Sequence, residues 1–412
     1  MQRRTYLVAA ATAPLAGCTW VESSSIDLEG DSENDPKADA TNERPTQTSE
    51  LVGTVDDFED LSTWEVLGGT LSAAPDRAVV GSQSARLEIP ADEQSARLVR
   101  SFSTPLDCTT VVPGLAVASM SLVVPWLRLI DVNGNAADFR RGIKGGLPLA
   151  RYNFGVTERA DGFDPTAVET VHLLVWTGEG VSETVWFDDL HFVSRPERGK
   201  VMIQFDDAHV TDYTEALPIL EDYGYPAVSF VPTGYVDDGE VGGDPRLSTD
   251  QVRELHDAGW CLANHTVTHP DLPTLSADEQ AAEIRSGKQW LRERGFETGS
   301  NYFSYPFGGY NATTLELVAA NHDLAFGGGA PAHGYVSNPQ LAPRIGEPST
   351  EQARTAIERT ASMRGITSLF FHRLEGERLA SFETIVEVIH EYESAGEIDI
   401  ILPADLEREL LR

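Results

Sequence analysis

Two histidines four residues apart, His265 and His269, sit in the run Asn264-His265-Thr266-Val267-Thr268-His269-Pro270. In a helical turn that spacing puts both rings on one face, within reach of one ion. One carboxylate completes a site with open positions for water, a donor set that Zn²⁺ accepts and that Fe²⁺, Co²⁺ and Mn²⁺ accept too. The neighbours Asp206 and Asp207 can supply it. Water on such an ion has its pKa lowered to about 7, and the second carboxylate of the pair can take the proton. A lone His-x-x-x-His arises by chance on protein surfaces. Its weight here comes from a Pro306-Phe307-Gly308-Gly309 turn and a late His372.

The elements that must position these groups follow from the pattern around them. From Lys200 onward, buried-strand runs (201–205, 227–231, 260–263, 302–305, 368–371 and 398–402) alternate with amphipathic helical stretches, one of them spanning 211–223. Ser248-Thr249-Asp250-Gln251, Ser276-Ala277-Asp278-Glu279 and Ser349-Thr350-Glu351-Gln352 read as capping boxes opening three helices. This alternation predicts an α/β fold with a parallel sheet or barrel and helices outside. Chemistry then belongs at the C-terminal ends of the strands. Asp206-Asp207, His265, Pro306 and His372 each follow a separate expected strand. Polar groups that merely satisfy strand ends would explain one or two of them, not the whole set.

The conjunction resembles the NodB-homology polysaccharide deacetylases, carbohydrate esterase family 4, from Lys200 to Leu402. That resemblance implies a distorted (β/α) barrel. Phe205-Asp206-Asp207 matches the first motif, which implies Asp206 as general base and Asp207 as metal ligand. His265-Thr266-Val267-Thr268-His269 matches the second, giving both histidine ligands, with Thr266 bracing the loop. Ser304-Tyr305-Pro306-Phe307-Gly308 resembles the third, with Tyr305, Pro306 and Phe307 as a wall and the Phe307 N–H facing an oxyanion. Phe370-Phe371-His372 resembles the fifth, implying His372 as general acid and Phe370 beside an acetyl methyl group. Three departures stand out. Ala208 occupies a usual glycine position, Ser304 a usual arginine position, and no Trp accompanies Asp323-Leu324-Ala325-Phe326. Arg344, in Pro343-Arg344-Ile345, is expected to supply the missing cation near Asp206.

Residues 51–196 read differently, as short alternating stretches such as Ser84-Ala85-Arg86-Leu87-Glu88-Ile89, separated by Gly- and Asp-rich turns. They predict an all-β sandwich. Its opening Val55-Asp56-Asp57-Phe58-Glu59 and closing Trp186-Phe187-Asp188-Asp189-Leu190 resemble jelly-roll carbohydrate-binding modules. In such modules the first and last strands lie together and their carboxylates, here Asp57 and Asp188, hold a structural Ca²⁺. Sugar binding and a plain spacer role both remain open for this domain.

The chain opens Arg3-Arg4-Thr5-Tyr6-Leu7, followed by a small apolar run and Leu15-Ala16-Gly17-Cys18. Residues 1–18 resemble a twin-arginine export signal ending in a lipobox, with Cys18 as the lipidated residue. Residues 19–50 are polar and acidic, a solvated linker. The protein is therefore expected outside the cell, anchored by lipid at the outer face of the membrane.

Net charge is −34, the wrong sign for a nucleic-acid partner. Lys occurs only at Lys37, Lys144, Lys200 and Lys288, so 27 of the 31 basic residues are Arg. Such acidic, lysine-poor surfaces resemble proteins of salt-loving organisms, haloarchaea among them, where molar salt shortens the Debye length to ~3 Å and screens self-repulsion. Cys108 and Cys261 fall in different domains, so no disulfide is expected. The leading expectation is hydrolysis of N- or O-acetyl groups on a polysaccharide, with Zn²⁺, Co²⁺, Mn²⁺ or Fe²⁺. The alternatives are an amidase of the same barrel acting on a small C–N substrate, and a non-catalytic glycan-binding lipoprotein.

Overall fold

Alternation is realised as pleating in the first half. Along Ser84–Ile89, Ala85, Leu87 and Ile89 are buried while Arg86 and Glu88 turn toward solvent and pair with each other. The computed structural model describes residues 51–328 and 332–411. The expected export signal, Cys18 and the acidic linker lie outside the described residues. Two six-stranded antiparallel sheets fill 53–194. One runs Thr70–Ala74, Ser84–Ile89, Glu183–Ser194, Val111–Ser119, Ala150–Asn153, with Gly53–Asp56 also on Glu183–Ser194. The other runs Gly155–Arg159, Ala136–Arg140, Trp126–Asp131, Val168–Trp176, Ser95–Leu106, Trp64–Leu67. Their inner faces (Leu87, Val117 and Phe187 from the first; Leu98, Leu129 and Leu173 from the second) join one apolar cluster. First and last strands pair, Thr54 opposite His191, as expected.

The second half carries eight parallel strands: β1 (Gly199–Asp206), β2 (Val228–Val231), β3 (Cys261–Asn264), β4 (Tyr302–Ser304), β5 (Leu324–Phe326), β6 (Ile345–Gly346), β7 (Ile366–Phe371) and β8 (Ile398–Ile400). Their order is β5-β4-β3-β2-β1-β7-β6, a curled parallel half-barrel with β8 also on β1. A bridge from Phe326 to Ala342 ties β5 to the segment entering β6, so residues 342–346 span the gap between the sheet's two edges. Helices α1 (Leu217–Tyr223), α2 (Thr249–Asp257), α3 (Ala277–Glu293), α4 (Ala312–Ala319), α5 (Thr350–Met363), α6 (Glu377–Ser394) and α7 (Pro403–Leu410) intervene or follow. The three expected capping boxes form at Ser248, Ser276 and Ser349. The helix expected over 211–223 differs in its first turn, which is a π-turn, Asp212–Ala216, before α1 begins.

Phe205, on β1, stacks on Trp260 at 5.1 Å and meets the edge of Phe382. This apolar floor lies directly under the Asp206-Asp207 end of the strand. Among the described residues, Cys108 and Cys261 are free thiols. Trp260→Ala is expected to destabilise the protein by about 3–5 kcal/mol in urea unfolding, since a buried ring is removed from a closed stack.

Candidate active site

β1 and β3 bring together three of the expected ligands. The Asp207 Oδ1 lies 3.2 Å from His269 Nε2 and 3.6 Å from His265 Nε2. Among the described residues this is the one group of three potential ligands whose donor atoms converge within 4.8 Å. The histidines do not reach it from a helix. Residues 265–270 form an irregular loop in which Thr266 (φ 70°) and His269 (φ 54°) are left-handed, and this geometry folds the second ring back over the first at 4.7 Å. Local bonds hold those conformations. Asn264 Oδ1 accepts from the Thr266 N–H, Thr266 Oγ1 accepts from the His269 N–H, and Glu283 on α3 accepts from the Val267 and Thr268 amides.

Both imidazoles are poised as ligands. His265 Nδ1 donates to the Ser304 carbonyl at 2.7 Å, which leaves Nε2 as the free lone pair facing Asp207. Burial lowers the pKa of each ring, to about 4 for His269, where the neighbouring His265 adds to the effect. Neutral rings beside an Asp207 oxygen with no hydrogen-bond donor among the described residues form the donor set a divalent cation takes.

Asp206 faces the same space from one residue earlier, 3.6 Å from His265 Nε2. Arg344 clamps it with two bonds, Nη1 to Oδ1 at 2.9 Å and Nη2 to Oδ2 at 2.8 Å. This supplies the cation that the sequence lacked at Ser304, whose own hydroxyl is buried with no partner among the described residues. Burial alone would raise the Asp206 pKa. The Arg344 charge and its two hydrogen bonds, helped by His372, override it and hold the carboxyl well below the usual range. Arg344 arrives on the 342–346 segment, with its guanidinium 3.8 Å over the Phe370 ring.

Ala208 does adopt the left-handed conformation a glycine would favour, at φ 51°. The strain is about 1–2 kcal/mol. Its fully buried methyl returns about 0.8 kcal/mol, which offsets part of that strain.

The wall residues divide by burial. Tyr305 and Pro306 are buried, and the Tyr305 hydroxyl donates to Gln340 O at 2.8 Å. Tyr305 therefore backs the wall and cannot touch a ligand. Phe307 is 74 % exposed, left-handed at φ 55°, with its ring 4.5 Å from His269. Its N–H lies in the first turn of a one-turn helix, where amides have no helical acceptor. His372 follows β7, its Nδ1 2.8 Å from Glu347 Oε1, which also accepts the His372 N–H. Burial opposes the charged ring. Glu347, Asp206 and Asp207 outweigh it and raise the His372 pKa.

Glu347 was missed in the sequence, although it stands at the C-terminal end of β6 as the others stand at theirs. Asp212 was missed too. It is buried and bonded to Ser229, and its carboxyl is pushed well up by burial and by the charges of Asp207 and Asp206. The calcium expectation finds no support. Asp188 accepts three backbone N–H groups, from Val79, Val80 and Asp189, and so acts as a loop clamp, while Asp57 accepts its own Glu59 N–H at the surface. Neither belongs to a three-ligand cluster among the described residues.

Residues 194–325 match the polysaccharide deacetylase family model. A putative polysaccharide deacetylase, YxkH, of Bacillus subtilis is 30% identical over 124 residues, which is 30% of this chain and 42% of that protein. The poly-β-1,6-N-acetyl-D-glucosamine N-deacetylase of Staphylococcus aureus is 27% identical over 134 residues, covering 30% of this chain and 45% of the relative. The chain thus spans less than half the length of these curated relatives. A solved family 4 carbohydrate esterase from Streptomyces lividans, in complex with acetate, is 21% identical, covers 50% of this chain and 92% of its own, and has a TM-score of 0.35. Arg344, Glu347 and His372 lie beyond the stretch the family model matches.

Two outcomes follow from these charges. Arg344→Ala strands a buried carboxylate and is expected to cost about 3–5 kcal/mol at pH 7. Because the Asp206 pKa is depressed, its contribution is present above the usual carboxylate range and fades as pH falls below it, so the penalty shrinks in acid unfolding titrations. In Glu347→Gln the His372 midpoint, read by NMR of the ring protons in metal-free protein, should move down. An unchanged midpoint would show that Glu347 does not hold the proton there.

Proposed function

We propose that the chain is a metal-dependent hydrolase that removes N- or O-linked acetyl groups from an extracellular or cell-surface polysaccharide. The observation that carries this reading is a set of three assemblies: Asp207, His265 and His269 with donor atoms converging within 4.8 Å, Asp206 on Arg344, and His372 on Glu347. Asp207, His265 and His269 would hold the cation. Bound there, it supplies the acidity that lets a water give its proton to so weak a base as Asp206.

The protein's own groups do the rest. Asp206 stays ionised and accepts the proton, because Arg344 prevents it from being neutralised by burial. The Phe307 N–H donates to the oxygen that gains charge as the acetyl carbon becomes tetrahedral. His372, kept protonated by Glu347, gives its proton to the departing nitrogen or oxygen, which would otherwise leave as an unstable anion.

A cleft of about 760 Å³ opens beside Arg344 and Phe370 and continues along α5 past Gln352 and Thr355 to Arg359. Asp207, His265, His269 and His372 do not line it, so sugar rings bound for hydrolysis would lie nearer Phe307, whose ring is 4.5 Å from His269. Phe307, exposed at the site, offers a face for one of them. The N-terminal motif supports export and lipid attachment at Cys18, and the acidic, lysine-poor composition supports work at high salt. The antiparallel domain is assigned a glycan-side role on its resemblance to carbohydrate-binding modules.

The test is acetate release at high salt from acetylated chito- and xylo-oligosaccharides. The protein is stripped with chelator and then given Zn²⁺, Co²⁺ or Mn²⁺. Release should return with metal and fall by at least ~10²-fold in Asp206→Asn, the scale of lost general-base catalysis. Metal binding without release from any of these substrates would sink the deacetylase reading.

A further inference from the structure

The antiparallel domain touches the candidate site directly. The two halves belong to one compact unit, and the apolar cluster of the first half runs on into Phe303, Tyr305, Tyr310 and Leu341 of the second. At this junction the turn after strand Ala136–Arg140 projects two cations. Lys144 Nζ donates to the Gly308 carbonyl at 2.6 Å and lies 3.8 Å from the Tyr310 ring centre. Arg141 Nη2 donates to the Leu341 carbonyl at 3.0 Å, three residues before Arg344.

Neither contact is incidental to the chain's make-up. Arg141 is buried, and among the described residues no carboxylate pairs with it. Carbonyls of Leu341 and Asn153 and the Tyr152 ring surround it. Burying a cation on such weak partners is unfavourable by itself, so the position is explained by what it holds. Lys144 is one of four lysines in a chain that uses Arg elsewhere. An ammonium on a flexible stem reaches a single carbonyl where a planar guanidinium needs a wider slot.

The segment that Lys144 holds is a strained one. Phe307 and Gly308 are consecutive left-handed residues, at φ 55° and 60°. The Phe307 side chain is mostly in solvent, so its own packing cannot fix the turn. Two bonds close the turn on itself, Gly308 N–H to Tyr305 O and Gly309 N–H to Pro306 O. Asp271 stands beside it, so close that a Cβ on Gly309 would lie 2.6 Å from its Oδ1, and its charge also acts on Lys144. The bond that reaches the turn from the other domain is the one from Lys144 to the Gly308 carbonyl.

We propose that Lys144 is a positioning residue for the deacetylation assigned above. It fixes the 306–309 turn so that the Phe307 N–H points at the developing oxyanion, which makes the antiparallel domain part of the catalytic unit. This inference rests on the proposed function only for its kinetic arm. Its structural arm stands without it.

The experiment uses the full chain and Lys144→Met, which keeps the stem and removes the donor, with Lys144→Arg as the conservative variant. Hydrogen exchange of the 305–310 backbone is read first, with no substrate present. The Met variant should exchange faster there while the rest of the barrel and the unfolding midpoint stay as in wild type. Acetate release should then show kcat down about tenfold with KM within about twofold, since small misplacements at a reacting centre act on the rate. Lys144→Arg should recover part of the loss. Unchanged exchange at 305–310 would overturn the clamp, whatever the enzyme activity. Faster exchange with unchanged kcat would overturn the catalytic role. Wild-type chain that releases no acetate would sink the proposed function alone, with exchange still deciding the clamp.

Discussion

A buried carboxylate cannot stay charged unless something pays for its lost water, and at Asp206 that something is Arg344. The pair is shut away from solvent on both sides and joined by two parallel bonds. Such a pair is a poor source of net stability, because desolvation offsets most of the attraction. Its value is in register. Asp206 ends β1, the strand that pairs with β2, β7 and β8. Arg344 rides the segment that spans the open side of the half-barrel. The contact can form only when the sheet has curled far enough to bring its edge around.

The remaining electrostatics follow from that fixed charge. With Asp206 ionised and Asp207 beside it, the His265 and His269 rings still stay neutral because burial outweighs attraction. His372, less enclosed and bonded to Glu347, goes the other way. One acidic centre thus contains neutral imidazoles suited to coordination and one held more basic, suited to donating a proton. The difference lies in solvent access and in one partner each: a carbonyl for His265 and a carboxylate for His372.

Much of the site was legible because its chemistry is written at strand ends, next to runs that declare themselves. Asp206, Asp207, His265, His269 and His372 each follow a strand that apolar periodicity reveals. Arg344 could be inferred from need, since a buried Asp without the usual arginine demands another. Glu347 and Lys144 could not. The first sits after a two-residue strand too short to show a pattern. The second acts across a domain junction 164 residues away in sequence. The spacing of the histidines was read correctly and its conformation was not, because i, i+4 geometry is also available to a loop with two left-handed residues pinned by side chains. The paired acids near Asp188 show a related gap. A sequence shows carboxylates but not the amide donors that already occupy them.

The bridge across the open side of the barrel also bears on the order in which the site is built. Glu347 and His372 are separated by 25 residues, Asp206 and Arg344 by 138. Closing the longer loop costs about 1.5 kcal/mol more chain entropy, by the logarithmic law for flexible loops. The proton-donating half of the site can therefore assemble from a local stretch of chain, while the proton-accepting half waits for the two ends of the barrel to meet. Until they do, Asp206 lacks its counter-charge and stays ionised only while water still reaches it. The molecule acquires its base as a late event of folding, in the same step that completes its tertiary topology.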